Sequence, residues 1–583
     1  MNIEIDNTAQ RDAPHHPQKV SDQAVLQTIQ RTRLFSILGE LATVLGLALI
    51  AFIPRMLLAM QLDMVTDEGV YILGGKIYLP LLTHLNIRSS DWTYNYEHPP
   101  FVKLLIGLAL SLNTWFGHPL SELVAARIPS IIMGTLLIVA LYWLGRAPFG
   151  HVVALVAALS LAASPWLVYF SALAYLDMTM TALITVASLL IWHAIRRPWL
   201  YPLSALLFSL GADSKYTAVL AIPGLILFTA YYFLLIRPHI PVEQRPGIPW
   251  PWWIAAIIVA PVAFLIADPA IWTHPISLLL HSFRFEWDHS RNGHLTFIAG
   301  HYAMHVPRWA ILYILLAKIS AFVTIPAAFF SVFALVQLVR FHRGYVTAIE
   351  ATNISFLFIW LVSILGMFSL LNIVVGTHYH LPMATPVVLA GAFGLAVLLR
   401  YQRSSLFALH KTRVAKTNAL TSPTGDKIKI NLRASIVVAL LALLLAGPHL
   451  IGLTTVYAAE GYTSEFFPGE NAVLQVAYPG YREAVQWIAA DTHGPVRVGL
   501  VAVPGTISGG GNSVSWYSYN KDLPGRLTLT EVPLGETRYQ YDYLVWPMHL
   551  VQRGYTISEP WRSHVVHVVM GGNTVYCYVM GRT

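Results

Sequence analysis

Apolar residues in this chain come in runs of about twenty separated by short polar connections, a pattern that predicts membrane-crossing helices. The runs lie near residues 35–57, 122–145, 151–172, 178–195, 199–213, 216–236, 252–272, 309–340, 352–373, 381–399 and 434–456, eleven in all. Phe101 to Phe116 is a twelfth apolar stretch of another kind. Its sixteen residues would reach only about 24 Å at 1.5 Å per residue, short of a roughly 30 Å hydrocarbon core. It is expected to lie flat at the interface.

That choice fixes a topology. With Phe101 to Phe116 not crossing, Arg146, Arg196-Arg197, Arg237, Arg340 with Arg343, and the Arg400 to Arg433 segment all fall on the cytoplasmic side, as the positive-inside rule requires. The polar stretch Met1 to Arg33 carries Arg11, Lys19, Arg31 and Arg33 and is not followed by a cleavable signal core, so the first run is expected to be an uncleaved anchor. The opposite side then collects the first loop, about 58–121, the turns Tyr175 to Asp177 and Asp213 to Lys215, the long loop Thr273 to Arg308, and Gly376 to His380.

From about residue 457 the pattern changes. Tyr481 to Ala490 reads as a short amphipathic helix, and Val496 to Val503, Tyr541 to Trp546 and His564 to Met570 read as strands. The expected fold class is therefore a mainly α, polytopic membrane protein with about eleven spans and a small C-terminal α/β domain. Its parts are a cytoplasmic tail (1–34), a transmembrane domain (35–456) and an extracytoplasmic domain (457–583). The run Gly509-Gly510-Gly511 lacks the Lys-Ser/Thr of a phosphate-binding loop and is read as a turn.

Composition agrees with the membrane setting: 56% of residues are hydrophobic and 11% charged, against roughly 25% charged in a soluble domain. The net charge of +8 sits in connecting segments and forms no basic face with interleaved aromatics, which argues against nucleic acid as a partner. The single cysteine, Cys577, excludes an intrachain disulfide framework.

Chemistry concentrates in the loops expected on one side. Asp67-Glu68 follows the first span, where a carboxylate could act as a general base or a metal ligand; the plainer alternative is an acidic first turn of a helix capped by Thr66. Glu97-His98-Pro99-Pro100 with Lys103 sets an acid, an imidazole and an ammonium around a rigid turn, or else leads into a helix with Lys103 snorkelling to headgroups. Arg127, Asp177 and Lys215 border apolar spans, where ionisable groups are costly and usually partnered. An Arg127–Asp177 ion pair joining two helices is the structural alternative. The histidines His281, His289, His294, His301 and His305 are too loosely spaced for a tight ligand set; His301 and His380 are candidates for substrate contact.

The order Asp67-Glu68, His98-Pro99-Pro100 with Lys103, Arg127, Asp177, then Ser214-Lys215-Tyr216 resembles the protein O-mannosyltransferases (glycosyltransferase family 39) and their bacterial relatives, among them the lipid A aminoarabinose transferases. The stretches from Gly293-His294 to Lys318 and His378-Tyr379-His380-Leu381-Pro382 extend the likeness over roughly residues 35–400. The resemblance implies the GT-C membrane fold and transfer of a sugar, mannose in the eukaryotic family, from a polyprenyl-phosphate donor to a hydroxyl on protein, lipid or glycan. It implies Asp67 as base with Glu68 and Asp177 in the catalytic set. It also implies His98, Lys103, Arg127 and Lys215 near the carrier phosphate, with Glu97, Tyr71, His301 and His380 as further substrate contacts.

Two departures count. Val70 and His98 stand where the aminoarabinose transferases carry arginine and lysine, which brings the chain nearer to the mannosyltransferase pattern; the eukaryotic β-trefoil insert is missing and a C-terminal α/β domain stands instead, which points to a bacterial, multi-pass inner-membrane relative.

Glycosyl transfer to a hydroxyl needs a base at the acceptor and positive charge at the leaving phosphate. A single displacement of this kind inverts the anomeric centre. No cofactor is required on this reading, although Asp67, Glu68, Asp177 and a histidine leave a divalent cation open. The rival reading is a transporter or flippase whose path is lined by the same charges. Charges at span ends and no visible repeat weigh against it.

Overall fold

The computed structural model describes residues 22–62, 64, 67–293, 296–372, 376–399, 432–455, 462–467, 480–502, 525–533, 540–552, 554–557, 559, 561–571 and 574–582. Residues Met1–Gly46 form one unit and Leu47–Thr583 another. The Gly509-Gly510-Gly511 turn lies outside the described residues.

Helices dominate. In chain order they are α1 (Asp22–Gln61), α2 (Glu68–Thr83), α3 (Phe101–Trp115), α4 (Glu122–Phe149), α5 (His151–Ala163), α6 (Pro165–Ser171), α7 (Leu176–Ala194), α8 (Leu200–Ala212), α9 (Ile222–Tyr231), α10 (Trp250–Ala267), α11 (Pro275–Asn292), α12 (Ala310–Lys318), α13 (Ala321–His342), α14 (Ala348–Phe368), α15 (Ala384–Leu398), α16 (Leu432–Thr455) and α17 (Tyr481–Asp491). Eight segments among the described residues are long and apolar enough to cross a membrane, and α5 with α6, bent by 63°, makes a ninth. The bend falls at Ser164-Pro165, where proline supplies no amide to the preceding helix and starts the next. α8 and residues Val437–Leu453 of α16 are shorter apolar helices, and together with those nine they match the eleven expected runs. α3 is the remaining short one, as its length predicted.

Local chemistry explains where these helices begin. The Ser121 hydroxyl accepts the Val124 amide at the start of α4. Thr347 and Glu350 form a reciprocal capping box at the start of α14. The expected long loop Thr273 to Arg308 is instead largely ordered: it holds α11 and a two-stranded antiparallel hairpin, β1 (Thr296–Ile298) and β2 (His301–Ala303). α11 alternates polar and apolar residues at helical spacing, but its low overall hydrophobicity hid it among loop signals.

The C-terminal part is α/β, as expected. A five-stranded sheet runs in the order β4-β3-β5-β7-β6, from β3 (Val496–Ala502), β4 (Leu527–Pro533), β5 (Tyr543–Pro547), β6 (Val565–Gly571) and β7 (Thr574–Gly581). β3 lies parallel to both β4 and β5, whereas β7 is antiparallel to β5 and β6. β4 and β7 were not anticipated. β4 reads Leu-Thr-Leu-Thr and sits at a sheet edge, where the apolar signal is weak.

What matters for function is how the first loop is anchored. Tyr71 and Ile72 of α2, Val102 and Ile106 of α3, Ala126 of α4, and Ala174 with Leu176 at the start of α7 share one buried cluster. α2 and α3 cross almost backbone to backbone at Gly75 and Gly107: a Cβ on Gly75 would meet the Lys103 carbonyl oxygen at 2.7 Å and the Gly107 nitrogen at 2.8 Å. Only glycine permits that approach. The crossing fixes where α3 delivers Lys103 and the turn before it.

Candidate active site

The acidic pair is split by the backbone. Asp67 takes a left-handed conformation (φ 74°) and α2 begins at Glu68, so the two side chains leave in different directions. A non-glycine residue in this region is unusual and costs energy that the surroundings must supply. Asp67 offers no side-chain cap to α2, and Thr66, the cap expected from the sequence, lies outside the described residues.

Glu68 is fully buried. Its two carboxylate oxygens accept the Arg127 guanidinium, Nε to Oε1 at 2.8 Å and Nη2 to Oε2 at 2.7 Å, and Oε1 also accepts the Ala174 amide at 2.7 Å. Arg127 Nη1 closes the C-terminal end of α1 by donating to the carbonyls of Ala59 and Leu62 at 2.7 and 2.8 Å. Arg127 therefore pairs with Glu68 and not with Asp177, which corrects the expected alternative. Its donors are turned inward to α1 and α2, and its side chain has no exposure. That geometry ties the start of α2, directly after Asp67, to α4, the end of α1 and the turn before α7.

Asp177 has another partner. The Lys215 ammonium donates to Asp177 Oδ1 at 2.8 Å and stands 3.7 Å from the centre of the Tyr379 ring. Asp177 Oδ2 is buried without a hydrogen bond. The pair thus joins α7, the turn after α8, and the segment before α15.

Aromatic rings link Asp67 to this pair. Tyr71 meets Tyr175 edge-on at 5.9 Å and His98 at 6.1 Å, and Tyr175 meets His378 at 5.4 Å. Burial, then the charges of Asp67, Asp177, Tyr379 and Glu97, holds the Tyr71 hydroxyl well above its ordinary pKa. Burial and Asp67 do the same to Tyr175. Both phenols stay protonated and can donate to an anion.

His98 is nearly enclosed and its pKa is held well below the ordinary value, by burial first and then by the charges of Lys215, Lys103 and His378. Its Nδ1 lies 3.3 Å from Glu286 Oε1 of α11, without hydrogen-bond geometry. With the ring neutral, this is a polar contact and not an ion pair. Burial pushes the Glu286 carboxyl up to about 7 against the pull of Lys215.

Lys103 does not snorkel. It has no exposure, and its ammonium donates to the carbonyls of Asn95 and His98, both at 2.7 Å. Glu97 is half-buried and accepts the Asn95 side-chain amide at 2.7 Å. His380 is buried with Nδ1 unpartnered. His301 lies in β2 and His294 outside the described residues.

Glu286, His378 and Tyr379 belong to the cluster and were not singled out. The sequence signal for the last two was present in His378-Tyr379-His380. Glu286 gives none, because the many polar residues of α11 make its sequence resemble a loop. No three acidic, histidine or cysteine side chains among the described residues are grouped to hold a metal ion. The imagined set of Asp67, Glu68, Asp177 and a histidine fails at Glu68, whose oxygens are committed to Arg127 and Ala174.

No curated protein matches the chain. Among solved structures it is similar to ArnT from Cupriavidus metallidurans bound to undecaprenyl phosphate, at 14% identity over 93% of this chain and 98% of that one, with a TM-score of 0.48. The apo state of that protein gives 16% identity, the same coverage and 0.46. The Archaeoglobus fulgidus oligosaccharyltransferase tethered to an acceptor peptide with the NVT sequon gives 11% identity over 88% of this chain and 69% of that one, at 0.46. Superpositions this loose carry no residue-level argument. The family model for dolichyl-phosphate-mannose-protein mannosyltransferases matches residues 97–272. The segment that supplies His98, Lys103, Arg127, Asp177 and Lys215 is thus the segment similar to the dolichyl-phosphate-mannose-protein mannosyltransferase family.

Proposed function

We propose that this protein is a membrane glycosyltransferase that moves a sugar, mannose being the best supported, from a polyprenyl-phosphate donor to a hydroxyl of a protein, lipid or glycan. The observation that carries this reading is the split acidic pair: Glu68 is consumed by Arg127 while its neighbour Asp67 is held in a strained conformation beside Tyr71 and Tyr175. Strain of this kind persists where the surroundings enforce it, and it clusters at sites of chemistry. The family match over residues 97–272 supports the donor class.

In the proposed reaction the acceptor O–H gives its proton to the Asp67 carboxylate as its oxygen attacks the anomeric carbon. The bond from that carbon to the phosphate oxygen breaks, and the polyprenyl phosphate leaves with the electron pair. Lys215, already fixed by Asp177, neutralises the growing charge, and the nearby Tyr71 and Tyr175 phenols, held protonated, support it. One displacement inverts the anomeric centre. The distribution of basic residues along the chain supports an extracytoplasmic site, with residues 457–583 on the same side.

The test incubates purified protein with a panel of polyprenyl-phosphate sugars and measures release of polyprenyl phosphate, wild type against Asp67→Asn. Undiminished turnover in the variant would remove Asp67 as base. Product anomers read by NMR test inversion, and a reporter fused after Thr583 tests the side.

A further inference from the structure

Behind the His98-Pro99-Pro100 turn lies a cavity of about 300 Å³. That is the lower end of the range for small-molecule pockets, roughly 300–1,000 Å³, enough for a sugar ring and too small for a polyprenyl chain. Trp92 and Tyr96 supply aromatic wall on the side of the first loop, and Tyr216, Asp268 and Ser282 supply polar groups on the other. Tyr96 is fixed by stacking on His281 at 4.7 Å, and its carbonyl accepts the Ser282 hydroxyl at 2.8 Å.

Two residues that line this space each carry a buried acceptor with no hydrogen-bond partner, Asp268 Oδ1 and Asn95 Oδ1, in side chains 1% and 5% exposed. Buried polar atoms in native proteins are almost always satisfied, so two unsatisfied acceptors in residues that line one cavity mark groups that a small shift of either side chain would offer to an occupant. Burial pushes the Asp268 carboxyl up to about 7, the Lys103 charge opposing. The lining therefore offers acceptors and hydroxyls with little fixed charge. Aromatic faces meet the electropositive C–H faces of a pyranose, and acceptors at the edge meet its hydroxyls. A phosphate would find unpaired carboxylate oxygen here and is disfavoured.

We infer that this cavity is a monosaccharide subsite, in which a neutral pyranose lies against Trp92 and Tyr96 and donates its hydroxyls to Asp268 and Asn95. His98 lines both the cavity and the Asp67 cluster, so the ring lies next to the transfer centre. Whether it belongs to donor or acceptor rests on the transfer reading; the binding of a sugar does not.

The experiment uses the full chain in nanodiscs, with methyl α-D-mannopyranoside and the matching methyl glucoside and galactoside as probes, read by saturation-transfer NMR. Undecaprenyl phosphate binding and thermal unfolding serve as folding controls for Asp268→Asn and Tyr96→Ala. The expected result is at least tenfold weaker glycoside binding in both variants, with undecaprenyl phosphate binding within twofold of wild type. If no glycoside binds the wild type, or if all bind the folded variants equally, the subsite is overturned.

Where transfer is measured, Tyr96→Ala raises the KM of the polyprenyl-phosphate sugar if the subsite holds the donor ring and of the acceptor if it holds the acceptor ring. Loss of glycoside binding in the variants, in a protein that releases no polyprenyl phosphate from any donor, would sink the transferase reading and leave the subsite standing.

Discussion

Glu68 and Arg127 meet through two parallel hydrogen bonds of 2.8 and 2.7 Å, both side chains wholly enclosed. The planar guanidinium matches the carboxylate face, and the Ala174 amide fills one remaining lone pair. Removing one partner of such a pair leaves an uncompensated buried charge.

Glu68→Gln is therefore expected to cost roughly 3–5 kcal/mol of stability and to lower the unfolding temperature of the solubilised protein. Glu68→Gln with Arg127→Met should recover part of that loss, because neither charge is then stranded. Differential scanning fluorimetry of the singles and the double separates the outcomes; a double no better than the worse single would argue against the pairing.

At Asp67 the prediction is kinetic. Asp67→Asn keeps the shape and removes the proposed base, so the transfer rate should fall about 10²–10⁴-fold while the unfolding temperature moves little. A large loss of stability with the activity would instead assign Asp67 to folding.

Lys215→Met should slow transfer by roughly 10²–10³-fold, and Lys215→Arg should restore part of it. The Asp177–Lys215 bond predicts that Asp177→Asn also weakens polyprenyl phosphate binding, through loss of the ammonium's position. Unchanged binding in Asp177→Asn would show that Lys215 holds its place without it.

Glu286 gives a pH dependence. Its carboxyl is raised from 4.5 to about 7, chiefly by burial. The folded state therefore holds a proton that the unfolded chain releases above 4.5. The stability so contributed is fully present below 4.5 and is lost as the pH rises through about 7. Melting curves at pH 5 and pH 8 should show wild type losing more than Glu286→Gln; parallel losses would refute the shift.

Gly107→Ala places a methyl group against α2 where the two helices touch. Overpacking at such a crossing typically costs about 1–3 kcal/mol. The same change should reduce activity by displacing Lys103, and a neutral outcome in both assays would mean that the helices can part freely.

The apolar helices were legible because twenty-residue apolar runs have few alternatives, and the shortness of α3 because its apolar stretch is only sixteen residues long. The candidate cluster was legible as a set of ionisable residues at span ends, since such groups rarely sit there idle. Their pairing was not. Glu68 and Arg127 are 59 positions apart, and nothing in either neighbourhood distinguishes Glu68 from Asp177 as the partner; the left-handed turn at Asp67 makes that choice. Glu286 stayed hidden because α11 is amphipathic but poorly apolar. Asp268 was hidden because it falls inside the apolar run 252–272, whose helix in fact ends at Ala267.

Lys103 acts as a strut between two rooms. One of the carbonyls it holds belongs to Asn95, in the cavity wall, and the other to His98, beside Tyr71 and Glu286. A sugar ring pressing on Asn95 and a phosphate settling near His98 would push on the same ammonium from opposite sides. Mispositioning of either ligand would then be felt by the other, and fidelity in ring choice and timing of bond cleavage would become one mechanical property of a buried lysine.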